Sequence, residues 1–373
     1  MSARLAPAPA WSIDVPGASM NPSNASKAKK RQATTMTDVA KAAGVSQSTV
    51  SMIINNVSGA RLARATRARV LAKAVELGYP LVARDVAPRA TVQSRKVIGY
   101  LVDEISTSPH PVVSMDGARD AAWQHGCTIQ LAVTRGNPEQ EAAAIEAMQA
   151  NPGLLGWVYS TIFTRPVRLP EALLSRPTVL LNCHDNSRKL PTVLPGELAG
   201  GHTATEHLIA MNHTRIGFIN GEPWMEAAQD RFKGYKRALA SADLPFDPAL
   251  VRDGDWMSGT GFDCTISLMQ EARPPTAIFC ANDLMALGAM EAIKQLGLNV
   301  PQDVSVMGYD DQEISRHTHP PLTTMLLPNY AMGFAAVEAL IELADAGTAA
   351  RSPRRILIKA DCPLVTRDSV QKR

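Results

Sequence analysis

The chain has 373 residues, 45% apolar and 20% charged, the make-up of a globular protein large enough for two or three domains and unlike a disordered or fibrous chain. Its net charge of +3 is uneven: residues 27–96 hold 14 Lys and Arg against 3 Asp and Glu, a net of +11, residues 1–26 balance, and residues 97–373 therefore carry −8. A basic head on an acidic body points to a polyanion as the partner of the head, while the absence of an apolar run of about 20 residues excludes a membrane helix.

Residues 1–33 are rich in Pro, Ala, Ser, Asn and Lys without apolar period, and read as a disordered basic tail. In the stretch TMTDVAKAAGVSQSTVSMIIN (35–55), Val39, Ala40 and Ala43 fall on one helical face. Gly44 can end that helix in the left-handed conformation, and Ser46 can cap the next one. Val50, Ile53 and Ile54 then form a second apolar face. Two short helices around a glycine turn make a helix-turn-helix, whose second helix enters the DNA major groove. An ordinary helical hairpin is the competing reading; the coincidence with the basic region favours DNA. Gln47, Ser48 and Met52 lie away from the apolar face, free to meet base edges. A third helix is expected from Arg64 to Leu77, with Val70, Ala74 and Leu77 on its apolar face. Arg64 and Arg67 in its first turn oppose the helix dipole unless an anion such as a DNA phosphate joins them. Residues 79–96 contain two prolines and mixed charge and read as a linker.

From Val97 the pattern becomes strand and helix in alternation. Apolar runs begin at VIGYLV (97), CTIQLAV (127), LLGWVYS (154), TVLLNC (178), RIGFING (215), TAIFCAND (276), DVSVMGYD (303) and RRILIKA (354), with helical patterns between them. Continuous apolar strands between helices imply parallel sheets covered on both faces, and 277 residues are enough for two. Ligands bind beyond the carboxyl ends of such strands, where this chain places Asp103, Asn182, Asn282 and Asp310.

These segments resemble the lactose-repressor/galactose-repressor family of bacterial transcription regulators. The resemblance covers about residues 35–370 and rests on TMTDVAKAAGVSQSTVSMIINN, ATRARVLAKAVELGYP, AQDRFKGYKRAL (228–239), FCANDLMALGAMEAIKQLGLNVPQDVSVMGYDD (279–311) and PPLTT (320–324). It implies an α/β protein with an all-α helix-turn-helix head, a hinge, and a body like periplasmic binding proteins, made of two doubly wound parallel-sheet subdomains. The expected divisions are 34–79 for the head, 80–96 for the hinge and 97–373 for the body. Within the body the first subdomain takes about 97–194 and 326–352, the second about 195–325 and 353–373.

The resemblance also assigns residues. The expected DNA contacts are Thr37, Ser46, Gln47, Ser48, Thr49, Ser51, Met52 and Asn55, with Ala83, Arg84 and Val86 in the hinge. Met52 stands where the family commonly has arginine, so the guanine contact an arginine makes is replaced by an apolar one. Val86 is the expected minor-groove wedge; the segment is short for the family's hinge, and Pro88 limits any helix there. Arg231, Asn282 and Asp310 match the family's cleft residues, Trp256 a sugar-packing tryptophan, and Asn182 stands where one branch has an aspartate. Asp103 and Thr107 lie in the loop facing the cleft from the first subdomain.

The chemistry agrees: Arg, Asn and Asp offer paired donors and acceptors to adjacent sugar hydroxyls, and an aromatic face covers the C–H side of a sugar ring. A helix cap is the plainer role for Asn282 and Asp310. The expected effector is a sugar or a sugar acid, the acid pairing with Arg231. A purine is weaker, since no further aromatic in the first subdomain stands out for stacking. The expected partners are a double-stranded operator and a second copy of the chain, because two half-sites need two heads, in the cytoplasm. No cofactor, metal or membrane partner is expected: the five cysteines form no CxxC pair and the histidines no ligand spacing. No GxSxG, P-loop, GxGxxG or HExxH is present, which speaks against an enzyme. A transport binding protein shares the body but would carry a secretory signal in place of the basic head, and prolines break LAPAPAW.

Overall fold

A computed structural model describes residues 36–45, 49, 50, 53, 64–77, 95–187, 189–346 and 356–373. The chain divides into two compact units, residues 1–90 and 91–373.

In the first unit, helix α1 (Met36–Ala43) and helix α2 (Arg64–Glu76) share a small core with Val50 and Ile53. Val39, Ala40, Ala43, Val70 and Ala74 supply the rest, the apolar faces set by their helical spacing. Gly44, at φ 63°, lets the chain turn out of α1: the Gly44 and Val45 amides reach back to the Lys41 and Ala40 carbonyls at 3.3 and 3.1 Å, the two bonds of a Schellman stop. Arg69 Nε donates to the Ala43 carbonyl at 3.0 Å, tying α2 to that turn. Leu77, expected on the buried face, is 37% exposed instead; it lies one residue past the helix end, where the helical period no longer aims it inward.

The second unit is built on two parallel sheets. The first has the order β11-β5-β4-β3-β1-β2, from β1 (Val97–Val102), β2 (Thr128–Val133), β3 (Leu154–Val167), β4 (Thr178–Asp185), β5 (Thr192–Pro195) and β11 (Leu357–Ala360). The second has the order β7-β6-β8-β9, from β6 (Ile216–Asn220), β7 (Val251–Asp253), β8 (Ala277–Cys280) and β9 (Ser305–Met307). A short antiparallel pair, β10 (Thr324–Met325) with β12 (Leu364–Val365), joins the C-terminal segment to the second lobe. β6, β8 and β9 are buried throughout, as the unbroken apolar runs require.

Helices α3 (His110–Gln124), α4 (Pro138–Gln149) and α9 (Asn329–Ala346) cover the first sheet, and α5 (Glu197–Ala210), α6 (Glu226–Ser241), α7 (Ser258–Met269) and α8 (Asp283–Gln295) the second. Ile98, Tyr100 and Val102 pack with α3 and α9, while Leu101 and Trp157 on the opposite face pack with α4. The chain passes between the lobes at residues 195–197, 325–329 and 360–364. One boundary differs from the expectation: the sequence places residues 353–373 in the second subdomain, yet β11 pairs with β5 and extends the first sheet. The strand's composition does not tell which sheet edge it joins; the pairing partner does. Among the described residues, no helix is long and apolar enough to cross a membrane, and no cluster of metal-binding side chains occurs.

Candidate ligand cleft and DNA-binding head

The strands of both sheets end at a common cavity of about 270 Å³. Thr107, His110, Phe163, Thr164 and Asn182 line it from the first lobe, and Glu197, Arg231, Trp256, Asn282 and Asp310 from the second. Six of the seven expected cleft residues therefore converge. The seventh, Asp103, does not line the cavity. Its carboxylate accepts from the Ile162 amide at 2.8 Å and from Arg165 Nη2 at 2.9 Å, so it holds the end of β3 in place. An acidic residue at a strand end serves either purpose in sequence; the partner 59 residues along the chain decides it.

Arg231 projects from α6 into the second-lobe wall. The helix approaches α5 closely at Gly201 and Gly234: a Cβ on Gly201 would lie 2.4 Å from the Arg231 carbonyl. This close approach brings Arg231 onto Glu197, in the first turn of α5, where the helix dipole favours a carboxylate. Arg231 Nε and Nη2 donate to the two Glu197 oxygens at 2.7 and 2.8 Å, a bidentate ion pair with side chains only 4% and 7% exposed. Arg231 Nη1 donates to the Ala281 carbonyl, and the guanidinium lies 3.7 Å over the Tyr309 ring. Burial alone would lower the pKa of Arg231; Glu197 and Asp310 outweigh it and hold the guanidinium charged. Glu197 is the main residue that sequence reading missed. Its only signal is the carboxylate opening a helix directly after a strand.

Asp310 follows β9 at φ 110°, a conformation costly for a non-glycine residue. Its side chain is 5% exposed, and its nearest donors among the described residues are distant: Gln312 Nε2 at 3.3 Å, His110 Nε2 at 3.5 Å and Arg231 Nη2 at 3.5 Å. It caps no helix. Asn282 does cap one: its Oδ1 accepts from the Met285 amide at 2.9 Å at the start of α8, and its Nδ2 donates to the Trp256 carbonyl at 2.8 Å. Asn282 therefore both lines the cavity and anchors the Trp256 backbone, itself at φ 70°. Asn182, at φ 56°, accepts from Thr164 Oγ1 at 2.7 Å and donates to the Thr161 carbonyl at 3.0 Å. The Asn329 amide meets His110 Nδ1 at 3.0 Å; an amide N–H donates there, which leaves the ring proton on Nε2, toward Asp310.

Two further features were not legible. Phe163 lines the cavity from the first lobe and meets Trp224 edge-on at 5.5 Å. This corrects the expectation that the first lobe offers no aromatic; Phe163 sits beyond the apolar core of β3, where nothing in the sequence separates a cavity residue from a surface one. Asp283, beside the cavity, is fully buried; burial first, then Asp310, pushes its carboxyl up to about 8. It accepts from Thr324 Oγ1 at 2.6 Å and the Gln312 amide at 2.7 Å.

Of the expected DNA contacts, Thr37 lies in α1 and Thr49 is helical and half-buried. Ser46, Gln47, Ser48, Ser51, Met52, Asn55, Ala83, Arg84 and Val86 fall outside the described residues.

A small helical head and a two-lobed α/β body with a cavity at its strand ends are the parts of a DNA-binding regulator. The lacI-family model of bacterial regulatory proteins matches residues 35–80, and the periplasmic binding protein-like domain matches residues 205–370. The HTH-type transcriptional repressor PurR of Aliivibrio fischeri (strain MJ11) is 34% identical over 349 residues, covering 91% of this chain and 99% of the relative. A LacI-family regulator from Rhizobium etli aligns with TM-score 0.66 and 30% identity over 74% of this chain and 99% of its own. The transcriptional regulator CelR in its cellobiose complex aligns with TM-score 0.62 and 28% identity over 90% and 99%. The lac repressor dimer bound to operator and the anti-inducer ONPF aligns with TM-score 0.60 and 28% identity over 91% and 100%. The chain belongs to the lacI family of bacterial regulatory proteins. It is a DNA-binding transcription repressor, not an enzyme.

Proposed function

We propose that this repressor is controlled by a sugar held in the cleft between the two lobes, and that it acts as a cytoplasmic homodimer on a two-half-site operator. The observation that carries the sugar is Asp310. A buried carboxylate is normally met by donors at about 2.7–2.9 Å, and the nearest here stand at 3.3–3.5 Å. It has acceptor capacity left for a pair of ligand hydroxyls, with Trp256 on the same cavity to cover a ring face. Binding that favours one arrangement of the lobes shifts the heads, and the coupling to DNA is reciprocal. A nucleobase is the second reading. Phe163 supports it, since with Trp256 it puts an aromatic ring on each lobe, and so does the likeness to PurR repressors.

A thermal-shift screen against sugars, sugar acids and nucleobases tests this, since a ligand selective for the native state raises the melting temperature. The expected result is a sugar hit lost in Asp310→Asn. A nucleobase hit lost in Phe163→Ala favours the second reading. A hit that survives both substitutions and Trp256→Ala rejects this cleft as the effector site.

A further inference from the structure

The geometry points to Glu197 as the residue that sets the charge the cleft accepts, making it selective for neutral over acidic ligands. This rests on the cleft being the effector site. A lone arginine at a cavity wall is a carboxylate receptor, because its planar fork matches two carboxylate oxygens. In this chain that fork is already filled from inside the protein. Of the five N–H donors of a guanidinium, two go to Glu197 and one to the Ala281 carbonyl, and the free side of Nη2 faces Asp310. Arg231, Glu197 and Asp310 together carry one net negative charge, and among the described residues the only other ionisable side chain on the cavity is His110. Among the described residues, no lysine and no second arginine lines it. A ligand carboxylate would meet a committed cation and a second, loosely contacted carboxylate, in surroundings where charges are poorly screened. A neutral ligand offering hydroxyls meets acceptors it can satisfy.

The test compares matched ligands that differ in one group, glucose with glucuronate and galactose with galacturonate, by titration calorimetry at pH 8, where an ordinary imidazole is neutral. The parent should favour the neutral member of any pair it binds. Glu197→Gln removes one negative charge at constant shape and releases part of the guanidinium. The acid-to-neutral affinity ratio should then rise at least about tenfold, the effect of roughly 1.4 kcal/mol. The double variant Arg231→Gln/Glu197→Gln removes both charges, keeps the net charge, and should retain the parent's preference, which separates charge from shape. Should Glu197→Gln not fold, the acid's own affinity in Asp310→Asn is the readout: it should rise as one negative charge is removed, although the neutral sugar's falls. An unchanged ratio in folded Glu197→Gln, with the parent binding neutral sugars, overturns the role of Glu197 and leaves the sugar reading intact. A parent that prefers the acids, or no binding to any protein, overturns both.

Discussion

On the first-lobe side of the cleft, Thr164 bonds Asn182, Asn182 reaches the Thr161 carbonyl, and Asp103 takes the Ile162 amide and Arg165. On the second-lobe side, Arg231, Glu197 and Asp310 are buried charges that answer one another across helices and strand ends. The first arrangement fixes shape: it holds the β3 end, and with it Phe163, at the cavity. The second fixes charge, and its members depend on each other, because a buried ion without its partner is far costlier than an exposed one. One wall should therefore respond to substitution in ligand geometry, the other in stability and in the charge of what binds.

The largest expected effect is that of Arg231→Ala. It strands Glu197 and Asp310 as uncompensated buried carboxylates and should cost about 3–5 kcal/mol, read by urea unfolding of parent and variant. A loss under about 1 kcal/mol would mean that the pair is not buried as described, a cost that small being typical of exposed pairs. Next comes Asp103→Ala, which leaves the Ile162 amide and Arg165 without their acceptor and should cost about 1–3 kcal/mol. It should also weaken ligand binding through Phe163; binding left intact would detach Asp103 from the shaping of the cavity.

Asp310→Asn should lower ligand affinity about 10- to 100-fold, the worth of roughly 1.4–2.8 kcal/mol of hydrogen bonding to a charge. Equal affinity in calorimetry would refute the role given to its open acceptor sites.

A further effect concerns pH. Asp283 keeps its proton to about pH 8 in the native state, whereas an unfolded aspartate loses it near 4. Between those values the native state binds the extra proton, so this group's contribution to stability falls as pH rises toward 8 and levels off above it. Asp283→Asn, which can still bond Thr324 and the Gln312 amide, should flatten the decline in unfolding midpoint between pH 6 and 9. An identical slope in the variant would rule out Asp283 as its source.

Much of the architecture was legible before any coordinates. The apolar faces of Val39, Ala40, Ala43 and of Val70, Ala74 mark helices by spacing alone, and Gly44 marks the turn. The unbroken runs at β1, β6 and β8 mark buried parallel strands, and polar residues at their ends mark the cleft, because period and burial are local properties. Asn182, Arg231, Trp256, Asn282 and Asp310 were found through their motifs and strand-end positions. What each of them does was not local. Arg231 reads as a free cation until Glu197, 34 residues earlier, is brought against it by the approach of two helices at Gly201 and Gly234. Asp103 reads as a cleft acid until Ile162 and Arg165 claim it, Phe163 as an ordinary strand residue until the strand ends converge, and β11 as a second-lobe strand until it pairs with β5. The sequence by itself determined the element types, the family and the places where a site forms, since these follow from neighbours along the chain. Only the tertiary structure decided which charges are spent on each other and which remain for a ligand, because ion pairing depends on distances between residues that the chain separates by tens of positions.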